Sequence, residues 1–147
     1  MQGILDGNAD RYRTVPVFIR RSRHGPPNPL RVPDAMTEFV KRFVRRPESL
    51  HPMGFAAQAP IQFAAIHPFV DGNGRISHLL MNGGLLRDPY PPASYPATSR
   101  VDYLTALERA QITGDIEPLV HITANMHPQI SQVVGNTPHF MVCAGPR

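Results

Sequence analysis

The chain has 147 residues, 41% of them hydrophobic, with a net charge of +4 and a pI near 9.8. That length admits one domain with a buried core, and a single cysteine, Cys143, excludes a disulfide framework. No apolar run reaches membrane-spanning length and no basic-then-apolar leader opens the chain, so it reads as soluble as given, with no membrane segment.

Seventeen prolines predict several short elements with frequent breaks. Most of the fifteen basic residues lie between Arg11 and Arg46. A basic half can meet phosphates, an acidic partner or nucleic acid. Aromatics are not interleaved with the arginines and no nucleic-acid motif appears, so the plain reading is a solvated basic face with no nucleic-acid partner.

Residues 1–10 are polar and read as a frayed lead-in. Residues 13–20, Arg-Thr-Val-Pro-Val-Phe-Ile-Arg, are β-branched and aromatic and predict a strand, confined by Pro16 to an edge or short hairpin. A turn-rich loop follows from Arg21 to Pro29. Pro33 and Asp34 suit a first helical turn, and Met36, Phe39, Val40, Phe43 and Val44 form an apolar stripe that ends before Pro47. The segment from His51 to Ile66 predicts a further helix interrupted at Pro60. A proline there costs about 3 kcal/mol or more, so this helix is expected to kink at Ala59 or split in two.

The next stretch organises the chain: His67-Pro68-Phe69-Val70-Asp71-Gly72-Asn73-Gly74-Arg75. A periodic apolar run follows at once, so a loop feeds a helix start near Asn73 or Gly74. A helix start offers free N–H groups and a positive dipole end, which attract anions. Gly72 and Gly74 let backbone approach a phosphate closely. Arg75 can add a bidentate phosphate contact, and Asp71 can hold Mg²⁺ against substrate phosphates. His67 titrates near neutrality and can accept a proton. Residue chemistry thus points to a nucleotide-phosphate site with a general base beside it. Gly83-Gly84 leaves little to pack, and the helix is expected to weaken or end there.

Asp88-Pro89-Tyr90-Pro91-Pro92 is a rigid turn. Ser99 reads as an N-cap for a helix carrying Val101, Leu104, Ala106, Leu107 and Ala110 and ending by Gly114. Tyr103 on this helix reads from its spacing as a half-buried packing residue. The last helix runs from Ile116 to about Val134, with Pro118 in its first turn, a stripe of Leu119, Ile122, Met126 and Ile130, and a break at Pro128. Residues 135–147 are irregular.

The nine-residue stretch resembles the signature of the Fic (Fido) family, His-x-Phe-x-Asp/Glu-Gly-Asn-Gly/Lys-Arg-x-x-Arg. The resemblance extends over about residues 11–134. It implies a mainly α fold, a Fic-type helical bundle with a β-hairpin flap over the active site. The domain would span 1–134, open to truncation at its N-terminus, with 135–147 as a tail. The flap would carry Val17, Phe18, Ile19, Arg23 and His24 and dock a target peptide by strand addition. The implied activity is a protein adenylyltransferase, moving AMP from ATP to a Ser, Thr or Tyr hydroxyl of a target protein. His67 would be the general base. Asp71 would hold Mg²⁺, the Gly72-Asn73-Gly74 backbone and the Asn73 side chain would stabilise the α-phosphate, and Arg75 would neutralise pyrophosphate. The signature's second arginine is His78 here, which cannot form a bidentate fork. Tyr103 and Gln111 match positions that line the adenosine pocket.

The subgroup with the nearest wording includes a protein adenylyltransferase of the endoplasmic reticulum that modifies a chaperone. The resemblance therefore admits a chaperone target, a homodimer, and either the cytoplasm or the endoplasmic reticulum as compartment. No Ser/Thr-x-x-x-Glu-Gly/Asn inhibitory motif is present. Pro60, His78 and Gly83-Gly84 keep a second reading open, a weakened Fic-like binding module with little catalysis.

Overall fold

The structure is a computed structural model and describes residues 11–19, 22–47 and 50–126. The lead-in at 1–10, Pro128, Ile130 and the tail at 135–147 lie outside the described residues. Five helices follow one another: α1 (Val32–Arg45), α2 (Pro52–Ile66), α3 (Asn73–Leu85), α4 (Arg100–Thr113) and α5 (Glu117–Asn125). Short 3-10 turns, Pro29–Arg31 and Ala97–Ser99, lead into α1 and α4.

Helix α2 sits at the centre and packs against all four others. Its sequence is apolar almost all round, and ten of its fifteen residues are buried. A helix of that kind is stable only when it is surrounded. One side meets α3, α4 and α5 in a core that includes Met53, Ala57, Met81, Leu85, Ala106 and Leu119. The other side meets α1 through Phe63, which joins Val32, Met36 and Phe39. Phe39 and Phe63 meet edge to face at 5.7 Å.

Pro60 lies inside α2, which runs as one helix to Ile66, so the expected split into two pieces is not observed. The lost hydrogen bond costs about 3 kcal/mol. Burial of apolar side chains on both faces, at about 1.5–3 kcal/mol for each large one, outweighs it. The stripe expected on α1 is narrower than its spacing suggested. Met36 and Phe39 are buried, whereas Val40 and Val44 stay exposed. Arg87, two residues past the end of α3, donates to the carbonyls of Phe43 and Val44, satisfying the C-terminal end of α1.

The expected β-hairpin is not shown: among the described residues there is no strand, and Arg20 and Arg21 lie outside them. The Ser22 amide donates to the Ile19 carbonyl at 3.1 Å, and the described residues form no ladder. Pro16, Pro26 and Pro27 bring no N–H to one.

Helix α3 does not end at Gly83-Gly84 but continues through both to Leu85. Gly84 is buried, and a Cβ there would stand 3.1 Å from the Ala56 Cα and 3.3 Å from its Cβ. This glycine lets α3 lie close against α2. Gly83 is exposed, and a Cβ there meets only the Phe43 ring at 4.0 Å. The two sites should therefore respond with opposite signs. Gly83→Ala should stabilise by about 1 kcal/mol through helix propensity. Gly84→Leu should destabilise by about 1–3 kcal/mol through overpacking. Urea unfolding midpoints check both, and equal shifts would contradict the close helix contact.

Candidate active site

The loop from His67 to Gly72 joins the C-terminal end of α2 to the N-terminal end of α3. His67 caps α2 in the left-handed conformation, φ 50° and ψ 59°. That is unfavourable for a residue with a side chain and persists only where surroundings hold it. Its amide donates to the Phe63 carbonyl at 3.0 Å. Its ring Nδ1 faces the Ala64 carbonyl at 3.4 Å. A carbonyl only accepts, so the neutral ring carries its proton on Nδ1 and leaves Nε2 as an acceptor. Burial pushes the imidazole below its usual range. The Ala64 bond opposes this, and the Arg13 and His24 charges add to it. His67 is thus neutral at pH 7.

Asn73 closes the loop from the other side. Its Oδ1 accepts from the Phe69 amide at 3.0 Å, and its Nδ2 donates to the Phe69 carbonyl at 2.7 Å. The side chain is 4% exposed. Its Oδ1 and one of the two Nδ2 hydrogens are thus engaged within the loop. Gly72 stands at the N-cap with φ 84°, a conformation suited to glycine. No side chain caps α3 and no acidic residue lies in its first turn. The backbone amides of the first turn therefore remain an anion-binding end. Gly74 has no atom within 4 Å of a would-be Cβ, so space lies open above that turn.

Asp71 and Arg75 pair at 3.2 Å on the surface, each about 60% exposed. Such a pair contributes little, roughly 0–1 kcal/mol, and opens readily toward a phosphate or cation. Among the described residues no three His, Cys, Asp or Glu groups gather as a metal site. One exposed carboxylate beside an anion-binding helix end still suits Mg²⁺, which takes one or two carboxylates plus substrate phosphates.

His78 lies further along α3, half-buried, with its ring 5.0 Å from Tyr103 and 5.1 Å from Tyr95. Burial, then the Arg100 charge, pushes it below its usual range. Tyr103 is 5% exposed, more buried than expected, and its hydroxyl has no partner among the described residues. Burial and the neighbouring Tyr95 push that hydroxyl's pKa well up. Tyr95 hydrogen-bonds Thr123 at 2.7 Å, and burial pushes its pKa up to about 12. Gln111 does not join this cluster. It lies two turns beyond Tyr103 on α4, about 12 Å along the axis, with Nε2 3.5 Å from the Ile61 carbonyl.

Of the residues expected in a flap, Arg23 and His24 make contacts to α4 and α2. Phe18 is 94% exposed, and Val17 and Ile19 are half-buried. The Arg23 amide donates to Glu108 on α4 at 2.7 Å. His24 Nε2 lies 3.0 Å from the Ala65 carbonyl. Sequence reasoning missed Arg13 and Tyr95. Arg13 is buried, and its side chain reaches the His67 carbonyl at 2.8 Å. Both residues act through long-range contacts that leave no periodic trace.

His51, His67 and His78 are all pushed below the usual histidine range, chiefly by burial. The unfolded chain then binds more protons than the native one just below pH 6.5, so stability falls as pH drops through that window. Thermal unfolding between pH 7.5 and 5 should show a falling midpoint. A flat or rising midpoint would contradict burial of the neutral rings.

A sequence model of the Fic/DOC family matches residues 1–85. A protein adenylyltransferase Fic from Nematostella vectensis is 41% identical over 117 residues, 79% of this chain and 27% of that relative. One of the same name from Drosophila grimshawi is 39% identical over 115 residues, 78% of this chain and 23% of that relative. The chain thus spans about a quarter of the length of these curated relatives. Among solved structures, Fic-1 from C. elegans superposes with a TM-score of 0.71 at 30% identity, covering 87% of this chain and 37% of that one. A Fic domain containing signaling protein from Bacteroides thetaiotaomicron gives 0.71 at 25% identity, covering 88% and 57%.

Proposed function

Because this chain belongs to the Fic/DOC family, we propose that it is the transfer core of a protein adenylyltransferase. It moves AMP from ATP to a Ser, Thr or Tyr hydroxyl of a target protein. The observation that carries this reading is His67: its Nδ1 is tied to a carbonyl, its Nε2 is left as acceptor, and the uncapped helix end of α3 begins six residues on.

The target hydroxyl gives its proton to His67 Nε2 and its oxygen attacks the α-phosphorus. The bond from that phosphorus to the bridging oxygen breaks, and pyrophosphate leaves with the electron pair. The chain contributes positioning and charge neutralisation, which is most of what such a transfer needs. The first-turn amides of α3 face the phosphate charge. Arg75 swings from Asp71 to the leaving pyrophosphate. Asn73 holds the loop that presents these amides. His78 and Tyr103 border the nucleotide, and Gln111 belongs to the packing of α4 on α2. Mg²⁺, held by Asp71, supplies charge neutralisation at the phosphates when bound.

The segment at 17–19 offers a target its exposed Phe18 rather than a preformed ladder. The second reading, a module that binds nucleotide without turnover, is favoured by one observation: His78 is packed neutral against two tyrosines and brings no charge to terminal phosphates. Incubating the purified chain with α-labelled ATP and Mg²⁺ separates the two. Label on the chain or on added protein supports the transferase. Binding without transfer supports the module, and neither binding nor transfer rejects both.

A further inference from the structure

Arg13 is 3% exposed, and every acceptor its side chain reaches among the described residues is a backbone carbonyl. Nε donates to His67 at 2.8 Å and Nη2 to Ile66 at 3.4 Å. Nη2 also reaches Pro27 at 2.6 Å, and Nη1 reaches Val15 at 3.2 Å. The Arg13 backbone amide donates to the Pro68 carbonyl at 2.9 Å. One residue thus engages three consecutive carbonyls around the turn that carries the histidine. Those at Ile66 and His67 belong to the negative end of α2, where a cation is favoured.

The ring of His67 hangs from a left-handed backbone that needs external support. Its own bond to Ala64 is long at 3.4 Å, so the guanidinium is the firmest tie on this turn. We propose that Arg13 is a positioning residue for His67, fixing the turn from which the imidazole is aimed and linking it to the 22–28 segment through Pro27. This rests on reading His67 as the base. The charge of Arg13 also acts with burial to keep the ring neutral. His24, on the 22–28 segment, acts in the same direction. Asp71 and Arg75, on the loop and helix that follow, pair with each other.

Arg13→Gln and Arg13→Lys test this, with the His67 ring followed by NMR across pH on ¹⁵N-histidine-labelled protein, and with thermal unfolding as control. In Arg13→Gln the His67 midpoint should rise by about half a unit or more. In Arg13→Lys it should stay within a few tenths of wild type. Transfer at saturating ATP should fall about 100-fold in Arg13→Gln with KM for ATP unchanged, and Arg13→Lys should recover part of it. An unmoved midpoint in Arg13→Gln overturns the proposal. Loss of cooperative unfolding in both variants also overturns it, by assigning Arg13 to the fold alone. The NMR readout needs no turnover, so a chain that binds nucleotide without transferring it still decides the point. Normal transfer by a His67→Ala chain would instead reject the reading of His67 as base.

Discussion

Replacing His67 by alanine or asparagine should lower transfer of AMP by about 10²–10⁴-fold, the usual contribution of a positioned general base. Two substitutions are needed because His67 is left-handed, at φ 50°. Asparagine tolerates that conformation better than alanine, so it controls for backbone strain. Neither side chain can take the hydroxyl proton as imidazole does. Both variants should keep nucleotide affinity within a few-fold, since His67 lies outside the helix end proposed to bind phosphate. Single-turnover transfer with calorimetric ATP titration checks the split. Equal losses of affinity and rate would mean that His67 shapes the loop rather than the chemistry.

Asn73→Leu should be the most damaging change outside the base. Leucine has similar bulk but makes neither of the two bonds to Phe69. A half-buried backbone donor and acceptor would then lose their partners, at about 1–3 kcal/mol each as an upper range. The expected outcome is a loss of about 2–4 kcal/mol in unfolding free energy, together with weaker ATP binding as the amides at the start of α3 lose their common orientation. Asn73→Asp keeps the acceptor for the Phe69 amide and should cost less. Urea unfolding of both variants tests this. An undiminished stability in Asn73→Leu would place the role of Asn73 outside the loop.

The helices were legible because their signals are local. Pro33 and Asp34 open α1, Gly114 closes α4 with φ 77°, and the glycine-rich stretch opens α3 at Asn73. Features that depend on distant partners were not legible. Gly84 read as a weakness because no local pattern shows the Ala56 backbone against it. Val40 and Val44 read as core because periodicity marks a face without showing how far the neighbouring helix covers it. Pro60 read as a kink or a split because propensity takes no account of burial on both sides of α2, and the split is not observed. In the site, the residue types of the loop were legible and the direction of the Asn73 amide was not, since its partner is a backbone four residues away. Arg13 gave no signal beyond membership of a basic segment, although its hydrogen bonds join Val15, Pro27, Ile66 and His67.

The central claim is that this loop and helix end direct a hydroxyl to the α-phosphorus of ATP. The most direct measurement compares ATP labelled at the α-phosphate with ATP labelled at the γ-phosphate, under otherwise identical conditions with Mg²⁺ and the wild-type chain. The account predicts protein-bound label from the α-position alone, with labelled pyrophosphate released from the γ-position. Protein-bound label from the γ-position would contradict it.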